Sequence, residues 1–222
     1  MASVVVTGLN STTTFTCSHS NVSDICTVIV QEIYIINDDA STDNTSTLFA
    51  SSIPLRNSGT GSVAYNSGHY YVITNTKSSA EAFIELKALQ GIYNRSFKVT
   101  TRTKNASTYR CPIALYYYID SNNWGGVKDE QVSLWTSAKT NGVFTENSKN
   151  LSTSNTAEII SEFIFDANNN TLTVNQYVGT TLKGTKSMSI PIALASSVKW
   201  GTSTTWDSNT KRNLYEIKAE YI

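Results

Sequence analysis

Two neighbouring runs between Glu158 and Thr181 are patterned with a period of two residues. A turn-forming stretch at residues 166–170 separates the runs, and the second run ends at Gly179. Such a period places successive side chains on opposite faces of a β-strand, and Asn, Asp and Gly tolerate the backbone of tight turns. The segment therefore predicts a β-hairpin with one buried face. Along its second strand the pattern assigns Leu172, Val174 and Val178 to one face and Thr171, Thr173, Asn175 and Tyr177 to the other.

Strand patterning recurs along most of the chain. Residues 113–120 are apolar and aromatic on both sides, which predicts a central strand buried on both faces. Helix and strand both fit residues 79–89, and the alternation favours strand. Pro191 limits residues 187–194 to an edge strand or a loop. The last run, residues 214–222, predicts a closing strand whose inward face carries Tyr215, Ile217, Ala219 and Tyr221.

These patterns predict an all-β protein, an antiparallel β-sandwich of the jelly-roll type. Residues 37–46 are a run of turn-forming residues without apolar periodicity, so they mark a long loop or a boundary. We therefore predict a small β-rich N-terminal segment or docking region at residues 1–46 and a sandwich domain at residues 47–222.

The charge composition excludes several classes of partner. Charged residues make up 15% of the 222 residues, with 17 Lys and Arg against 17 Asp and Glu. Nucleic acids and anionic membranes are bound through clusters of Lys and Arg, and the sequence has no such cluster. It also has no apolar run of the ~18 residues that a membrane helix needs. Neither nucleic acid nor membrane is therefore predicted as a partner.

The first residues lack the charged and apolar regions of a signal peptide. We expect either a mature chain or a protein that reaches a virion or an extracellular surface without secretion, as on release by lysis.

The three cysteines support two interpretations. Cys17 and Cys26 are close enough in sequence to bridge a local loop, which leaves Cys111 alone. Buried free thiols are the alternative, because free cysteine is often part of a core. No Cys-x-x-Cys spacing indicates a zinc or redox site.

The most site-like stretch begins at Asp120. A carboxylate and two amides on a loop can hydrogen-bond sugar hydroxyls, and a tryptophan face can stack on a sugar ring. The alternative is that these residues only form a turn, with the tryptophan packed over the sandwich edge. The candidate ligand-binding residues are Asp120, Asn122, Asn123 and Trp124. Trp200, Trp206 and Asp207 make a second candidate rim, and Trp135 makes a third.

Catalysis and metal binding have little sequence support. His19 and His69 have no nucleophile or carboxylate at motif spacing, so no enzyme is predicted. The Asp-rich residues 37–43 could hold Ca²⁺ through oxygen ligands, but they lack the glycine and terminal glutamate of a calcium loop. We predict no cofactor, with Ca²⁺ as a weak alternative.

The order of strands and turns is carried by five segments, residues 68–74, 97–103, 113–124, 160–178 and 214–221. From about Leu48 to Ile222 this order resembles the concanavalin A-like lectin/glucanase superfamily, which includes laminin G-like domains. The likeness covers some four-fifths of the chain and is one of strand order and turn placement. It implies a jelly-roll sandwich and a role in carbohydrate recognition.

The sequence lacks the catalytic and metal-binding motifs of this superfamily. Its glycanases carry a Glu-x-Asp-x-x-Glu cluster that places two carboxylates about the scissile bond. Here Asp129 and Glu130 are adjacent and would point to opposite faces of a strand, and Glu158 and Glu162 have no Asp between them. The lectin metal pair is absent as well, so no catalytic or metal residue carries over.

The sequence thus predicts a non-catalytic carbohydrate-binding or adhesion module, in the setting of a phage or archaeal-virus tail or capsid fibre. Its predicted partners are a surface glycan or other virion proteins. One alternative is a purely structural virion or surface-assembly subunit, as a homo-oligomer and most simply a trimer. Another is a glycoside hydrolase with a degenerate site.

Overall fold

A computed structural model describes residues 13–19, 22–28, 34–75, 77, 79–106, 112–154, 156–204 and 211–222. For residues 13–19 and 22–28 the description is of the backbone. The two helical stretches in these ranges, α1 (Thr45–Leu48) and a 3-10 turn (Lys87–Leu89), are far too short to cross a membrane. The remaining regular structure in the described part of the chain is β-strand.

Seven antiparallel strands form the first sheet. They are β4 (Phe49–Arg56), β7 (Glu81–Leu86), β9 (Ile113–Asp120), β10 (Asn123–Asp129), β11 (Ser133–Thr140), β12 (Val143–Asn150) and β16 (Lys199–Ser203). Their spatial order is β12-β11-β10-β9-β16-β7-β4. The predicted strand at residues 113–120 is β9, which lies in the centre and is buried on both faces over residues 113–117. Residues 81–86 form a strand, as the alternation predicts.

The second sheet contains eight strands. They are β3 (Tyr34–Asp38), β5 (Gly61–Asn66), β6 (Tyr70–Asn75), β8 (Phe97–Asn105), β13 (Glu158–Asp166), β14 (Thr171–Val178), β15 (Thr181–Ser189) and β17 (Lys211–Tyr221). Seven of them follow the order β15-β14-β13-β8-β17-β6-β5, and β3 pairs with β17 beside β6. The two sheets form an antiparallel sandwich, so the predicted all-β sandwich is confirmed.

The hairpin predicted at residues 158–181 is β13 and β14, whose register pairs Phe163 with Val174. Leu172 and Val174 are fully buried, whereas Thr173 is half-buried on the outer face. One face of this hairpin is therefore buried, as predicted.

The closing strand β17 departs from the predicted alternation at Tyr215. Its register with β8 shifts between Leu214 and Glu216, which is a β-bulge. Tyr215 consequently lies on the outer face, where the guanidinium of Arg102 sits 5.3 Å from its ring centroid. Ile217 and Ala219 remain buried, so the inward assignment is wrong for Tyr215 and right for these two residues.

Part of the predicted N-terminal segment is paired with the sandwich. β3 lies within residues 1–46 and pairs with the C-terminal half of β17. Farther towards the N-terminus, β1 (Thr13–His19) and β2 (Val22–Val28) form a two-stranded antiparallel sheet. Its register places Phe15 opposite Cys26 and Cys17 opposite Asp24. The boundary at residues 46 and 47 stays a prediction, as does the Cys17–Cys26 disulfide, and Cys111 lies outside the described residues.

Aromatic side chains fill the space between the sheets. Trp200 is fully buried, its ring centroid lying 4.7 Å from that of Phe165 and 5.1 Å from that of Phe97. Its indole nitrogen donates a hydrogen bond to the carbonyl of Ile92 over 2.6 Å. Trp200 is therefore a core residue, and its predicted place on a binding rim is wrong.

A network of buried polar groups crosses the same interior. The Asp129 carboxylate accepts hydrogen bonds from the Gln176 amide (2.7 Å) and the Ser161 hydroxyl (2.8 Å). Arg212 is fully buried and donates to Thr103 (2.8 Å) and Asn105 (3.0 Å). Buried charged groups need hydrogen-bond partners, and Asp129 on the first sheet finds them on two strands of the second sheet.

Candidate functional site

The turn between β9 and β10 holds three of the candidate ligand-binding residues. The Asp120 carboxylate accepts the backbone N–H of Asn122 (2.7 Å) and the side-chain amide of Asn123 (3.1 Å). These hydrogen bonds lower the pKa of Asp120 below its ordinary value. The Asn123 side chain also accepts the N–H of Asn141 in the neighbouring turn over 3.0 Å. The carboxylate and amide groups of Asp120 and Asn123 thus stabilise two adjoining turns.

Trp124 does not face solvent. Its side chain is 1% exposed, and its ring centroid lies 6.0 Å from that of Tyr116 and 5.7 Å from that of Phe144. The ring has no free face to offer a sugar. The stacking role predicted for Trp124 is therefore not supported by its position, because β10 places it inside a hydrophobic cluster.

The remaining candidates do not join the turn. Trp135 is half-buried on β11, with its indole N–H donating to the Ser133 hydroxyl over 2.8 Å. Trp124 pairs with Lys139 and Trp135 with Lys128, so the two tryptophans lie four residues apart along the strand direction, about 13 Å. Trp206 and Asp207 lie outside the described residues. The structure therefore does not gather the candidate residues into one site.

The two edge strands of the seven-stranded sheet, β4 and β12, approach each other over the outer face of the sheet. In a flat sheet β4 and β12 would lie roughly 29 Å apart, six strand spacings. Yet the Arg56 guanidinium on β4 lies 4.3 Å from the Phe144 ring centroid and 3.7 Å from the Glu146 carboxylate on β12. The sheet therefore curves strongly, and we call this side the concave face. Its buried hydrophobic residues are Leu55, Phe83, Ala114, Tyr116 and Trp124.

Glycine makes room for this packing. Gly126 lies opposite Tyr116 in the sheet. A Cβ at Gly126 would collide with the Tyr116 ring and with the Leu115 carbonyl. The tyrosine ring takes that space, and the concave face is filled by the protein itself.

A buried lysine forms ion pairs with the carboxylates of the concave face. The Lys128 ammonium lies 3.0 Å from Glu146, 3.8 Å from Glu130 and 3.9 Å from Glu81. The Tyr116 hydroxyl donates to Glu81 over 3.2 Å, and Glu81 is 1% exposed. These acids are therefore engaged in internal ion pairs.

The pKa of Glu146 argues against a role for this residue as an acid catalyst. Burial alone would lower the pKa of Lys128, but its charged neighbours, including the carboxylates of Glu81, Glu130 and Glu146, outweigh burial and raise it. Burial alone would raise the pKa of Glu146, but Lys128, Ser137 and Arg56 outweigh burial and lower it. A glycosidase needs a carboxylic acid with a raised pKa as its proton donor. Glu146 is shifted in the opposite direction.

The Asp-rich loop uses its oxygens within the fold. The Asp38 carboxylate accepts the Ala40 N–H (2.7 Å), the Tyr71 hydroxyl (3.1 Å) and the Asn44 amide (2.6 Å). Among the described residues, no three His, Cys, Asp or Glu side chains cluster in a way that could hold a metal ion. The weak Ca²⁺ hypothesis gains no support from this loop.

An open groove lies between the edges of the two sheets, and we call it the inter-sheet groove. Its volume is about 530 Å³. β11 and β12 form one wall, and β15 with the following loop forms the other. The lining residues are Thr136, Ser137, Ala138, Thr140, Thr145, Glu146, Asn147, Met188, Ser189 and Pro191.

The polarity of this groove is unusual for the inside of a sandwich. On β11, Thr136 and Ala138 share the inner face with the fully buried Leu134. On β12, Thr145 pairs with Ala138 and Asn147 with Thr136, so both belong to the same inner side. Inner positions of a sandwich are normally apolar, because they pack against the other sheet. Here hydroxyl and amide groups occupy them and border open space.

The sequence pattern does not predict this groove. The stretch around Thr145 and Asn147 is polar on both strand faces, which reads as an exposed strand when taken alone. The opposite wall of the groove contains Met188, which lies some forty residues after Asn147 in the chain. The groove exists only because the fold brings these two edges together.

The sequence matches no protein-family model and no curated protein. Solved structures do match over most of the chain. The legume lectin-like domain of Entamoeba histolytica has a TM-score of 0.58 at 9% identity, covering 88% of this chain and 99% of that domain. This chain has the legume-lectin-like fold. The predicted resemblance to the concanavalin A-like superfamily is thereby confirmed at the level of the fold.

Two further matches agree on this fold. Arcelin-5, a lectin-like defence protein of Phaseolus vulgaris, has a TM-score of 0.54 at 12% identity and covers 84% of this chain and 97% of its own. The exoplasmic/lumenal domain of VIP36, in a form bound to Ca²⁺ and Man3GlcNAc, has a TM-score of 0.56 at 13% identity over 86% of this chain and 89% of its own. Identities this low establish the architecture alone.

Proposed function

We propose that this protein is a non-catalytic carbohydrate-binding module that holds a saccharide in the inter-sheet groove. The observation that carries the proposal is a groove lined by neutral hydroxyl and amide groups in a legume-lectin-like sandwich. Its volume of about 530 Å³ lies within the range of roughly 300–1,000 Å³ that is usual for small-ligand sites.

The lining of the groove suits sugar chemistry. Threonine hydroxyls both donate and accept hydrogen bonds, and the Asn147 amide offers an acceptor beside two donors, as sugar hydroxyl groups require. Met188 and Pro191 add apolar surface for the C–H face of a ring. The concave face offers no comparable space at Tyr116 and Trp124, because both side chains are buried there.

The proposal that binding is non-catalytic rests on the concave-face carboxylates. Within the described residues, Glu81, Glu130 and Glu146 all contact Lys128 at 3.9 Å or less. The fibre setting, the extracellular or virion location, the assembly with virion proteins and the trimer stay predictions from the sequence. So do ligand contacts by Asp120, Asn122 and Asn123, which compete with the groove as a site.

A bulky substitution in the groove tests the proposal. Thr145 is exposed on β12 and lines the groove, so Thr145→Trp would fill it. We expect binding in a glycan array, followed by titration calorimetry on the best saccharide, to weaken about tenfold or more, a loss of about 1.4 kcal/mol or more. Retained affinity in this variant would contradict the proposal.

The matched control is Ser148→Trp. Ser148 is exposed on the same strand, but it pairs with Trp135 and so faces the concave side. Its substitution should leave binding unchanged. If Ser148→Trp abolished binding and Thr145→Trp did not, the site would lie at Trp135 instead.

A further inference from the structure

Lysines border the inter-sheet groove without acidic partners. Lys186 lies opposite the buried Val174, so it belongs to the inner side of β15, and its ammonium is 2.5 Å from the Asn147 side-chain oxygen. The Lys149 ammonium reaches across from β12 to the carbonyl of Thr185 over 3.4 Å. Asn147 lines the groove, so the Lys186 charge lies at its margin.

The absence of acidic partners distinguishes these lysines from Lys98 and Lys218. On the outer face of the eight-stranded sheet, Lys98 lies 2.8 Å from Glu220, and Lys218 pairs with Glu216. Within the described ranges, neither Lys149 nor Lys186 forms a salt bridge, and Lys183 on the same edge strand is exposed. The whole chain has balanced charge, with 17 basic and 17 acidic residues. The excess of positive charge at the groove margin is therefore a local feature.

Among the described residues that line the groove, the single acid does not neutralise this excess of positive charge. The Glu146 carboxylate accepts the Ser137 hydroxyl over 2.7 Å and lies 3.0 Å from the Lys128 ammonium and 3.7 Å from Arg56. Its negative charge is therefore paired with Lys128 and Arg56 on the concave side. The groove margin keeps a net positive charge.

We infer that the inter-sheet groove binds an anionic saccharide, a chain whose sugar rings carry carboxylate or sulfate groups. This inference rests on the proposed carbohydrate-binding function. Ammonium groups form charge-assisted hydrogen bonds with anionic oxygens, which are shorter and stronger than those with neutral carbonyls. Lys149 and Lys186 would meet the acidic groups, while Thr136, Thr145 and Asn147 meet the hydroxyls.

The test compares three polymers by titration calorimetry at low and high salt. Polygalacturonate supplies carboxylates, heparin supplies sulfates, and dextran is neutral. We expect one of the two anionic polymers to bind more tightly than dextran, with affinity that falls as salt screens the lysines. In the Lys149→Gln/Lys186→Gln variant that affinity should fall about tenfold or more. The Lys149→Arg/Lys186→Arg variant should retain most of it, which separates loss of charge from damage to the fold.

A second double variant controls for net charge. Lys87 donates to the Ser46 carbonyl over 2.6 Å, and Lys104 is exposed on the outer face of the eight-stranded sheet. Lys87→Gln/Lys104→Gln removes the same charge away from the groove and should leave binding unchanged. An equal loss in this control would overturn the inference.

The outcomes also separate the inference from the proposed function. If dextran binds as tightly as both anionic polymers and Thr145→Trp abolishes that binding, the carbohydrate-binding function stands and the anionic preference is wrong. If no saccharide binds the wild-type protein, both are wrong.

Discussion

Replacing Arg212 with methionine is expected to destabilise the fold by about 3–5 kcal/mol, because it removes the buried positive charge that acts on the buried Asp129 carboxylate. Arg212 and Asp129 are both fully buried between the sheets. Without the guanidinium, Asp129 keeps hydrogen-bond donors but loses the positive charge that lowers its pKa. Chemical denaturation of the wild type and of Arg212→Met measures the difference in the free energy of unfolding.

The matched control is Arg102→Met on the outer face of the eight-stranded sheet. Arg102 is partly exposed and lies 3.4 Å from both Glu158 and Glu216. Exposed ion pairs contribute little, so this variant should lose less than about 1 kcal/mol. Equal losses of stability in the two variants would contradict this prediction. They would mean that removing Arg212 does not leave the Asp129 charge uncompensated.

The deficit of Arg212→Met should depend on pH. Burial raises the pKa of Asp129, although Arg212 and the hydrogen bonds from Gln131, Ser161 and Gln176 oppose the shift. An acid with a raised folded-state pKa stabilises the fold below its unfolded pKa and loses that contribution as the pH rises through the folded pKa. Removing Arg212 raises the folded pKa further. The deficit should thus be smallest in acid and grow as the pH rises, and a deficit that grows in acid would contradict this account.

Substituting Trp124 with alanine is expected to cost about 3–5 kcal/mol of stability, because it removes a large buried ring from the concave face. The Trp124 side chain is 1% exposed and packs between Tyr116 and Phe144. This result separates two interpretations of the residue. A ligand-stacking tryptophan would lose saccharide affinity with little change in stability, whereas a core tryptophan loses stability first.

Two further variants sharpen the comparison. Trp124→Phe keeps an aromatic ring in the cluster, so it should lose much less stability and retain saccharide binding. Trp135→Ala removes a half-buried ring from the same sheet and should also cost less. If Trp124→Phe bound no saccharide while unfolding like the wild type, the stacking role would be restored.

The sequence predicted the layers of this fold because strand alternation is a local property. The β13–β14 hairpin and the doubly buried β9 follow from residues that are neighbours along the chain. Tyr215 was assigned to the wrong face because the bulge after Leu214 depends on pairing with β8. A shift of one residue reverses the face of a side chain, and the sequence carries no local mark of it.

The site was harder to predict because it depends on curvature and on contacts between distant strands. Trp124 follows a loop-like sequence that suits a binding rim, but the sheet curves until Arg56 and Phe144 meet over that face. The ion pairs of Lys128 likewise join Glu81 and Glu146 from strands that are not neighbours of each other. The identities of these residues were visible in the sequence, and their grouping was not.

Mapping saccharide contacts by NMR tests the central claim most directly. The backbone amides of an isotope-labelled sample would be assigned and then titrated with the polymer that binds best. We expect the largest shifts at Thr136, Thr145, Asn147 and Met188, which line the inter-sheet groove. Shifts concentrated instead at Asp120 and Asn122, or at Trp135 and Ser148, would place the ligand elsewhere and contradict the account.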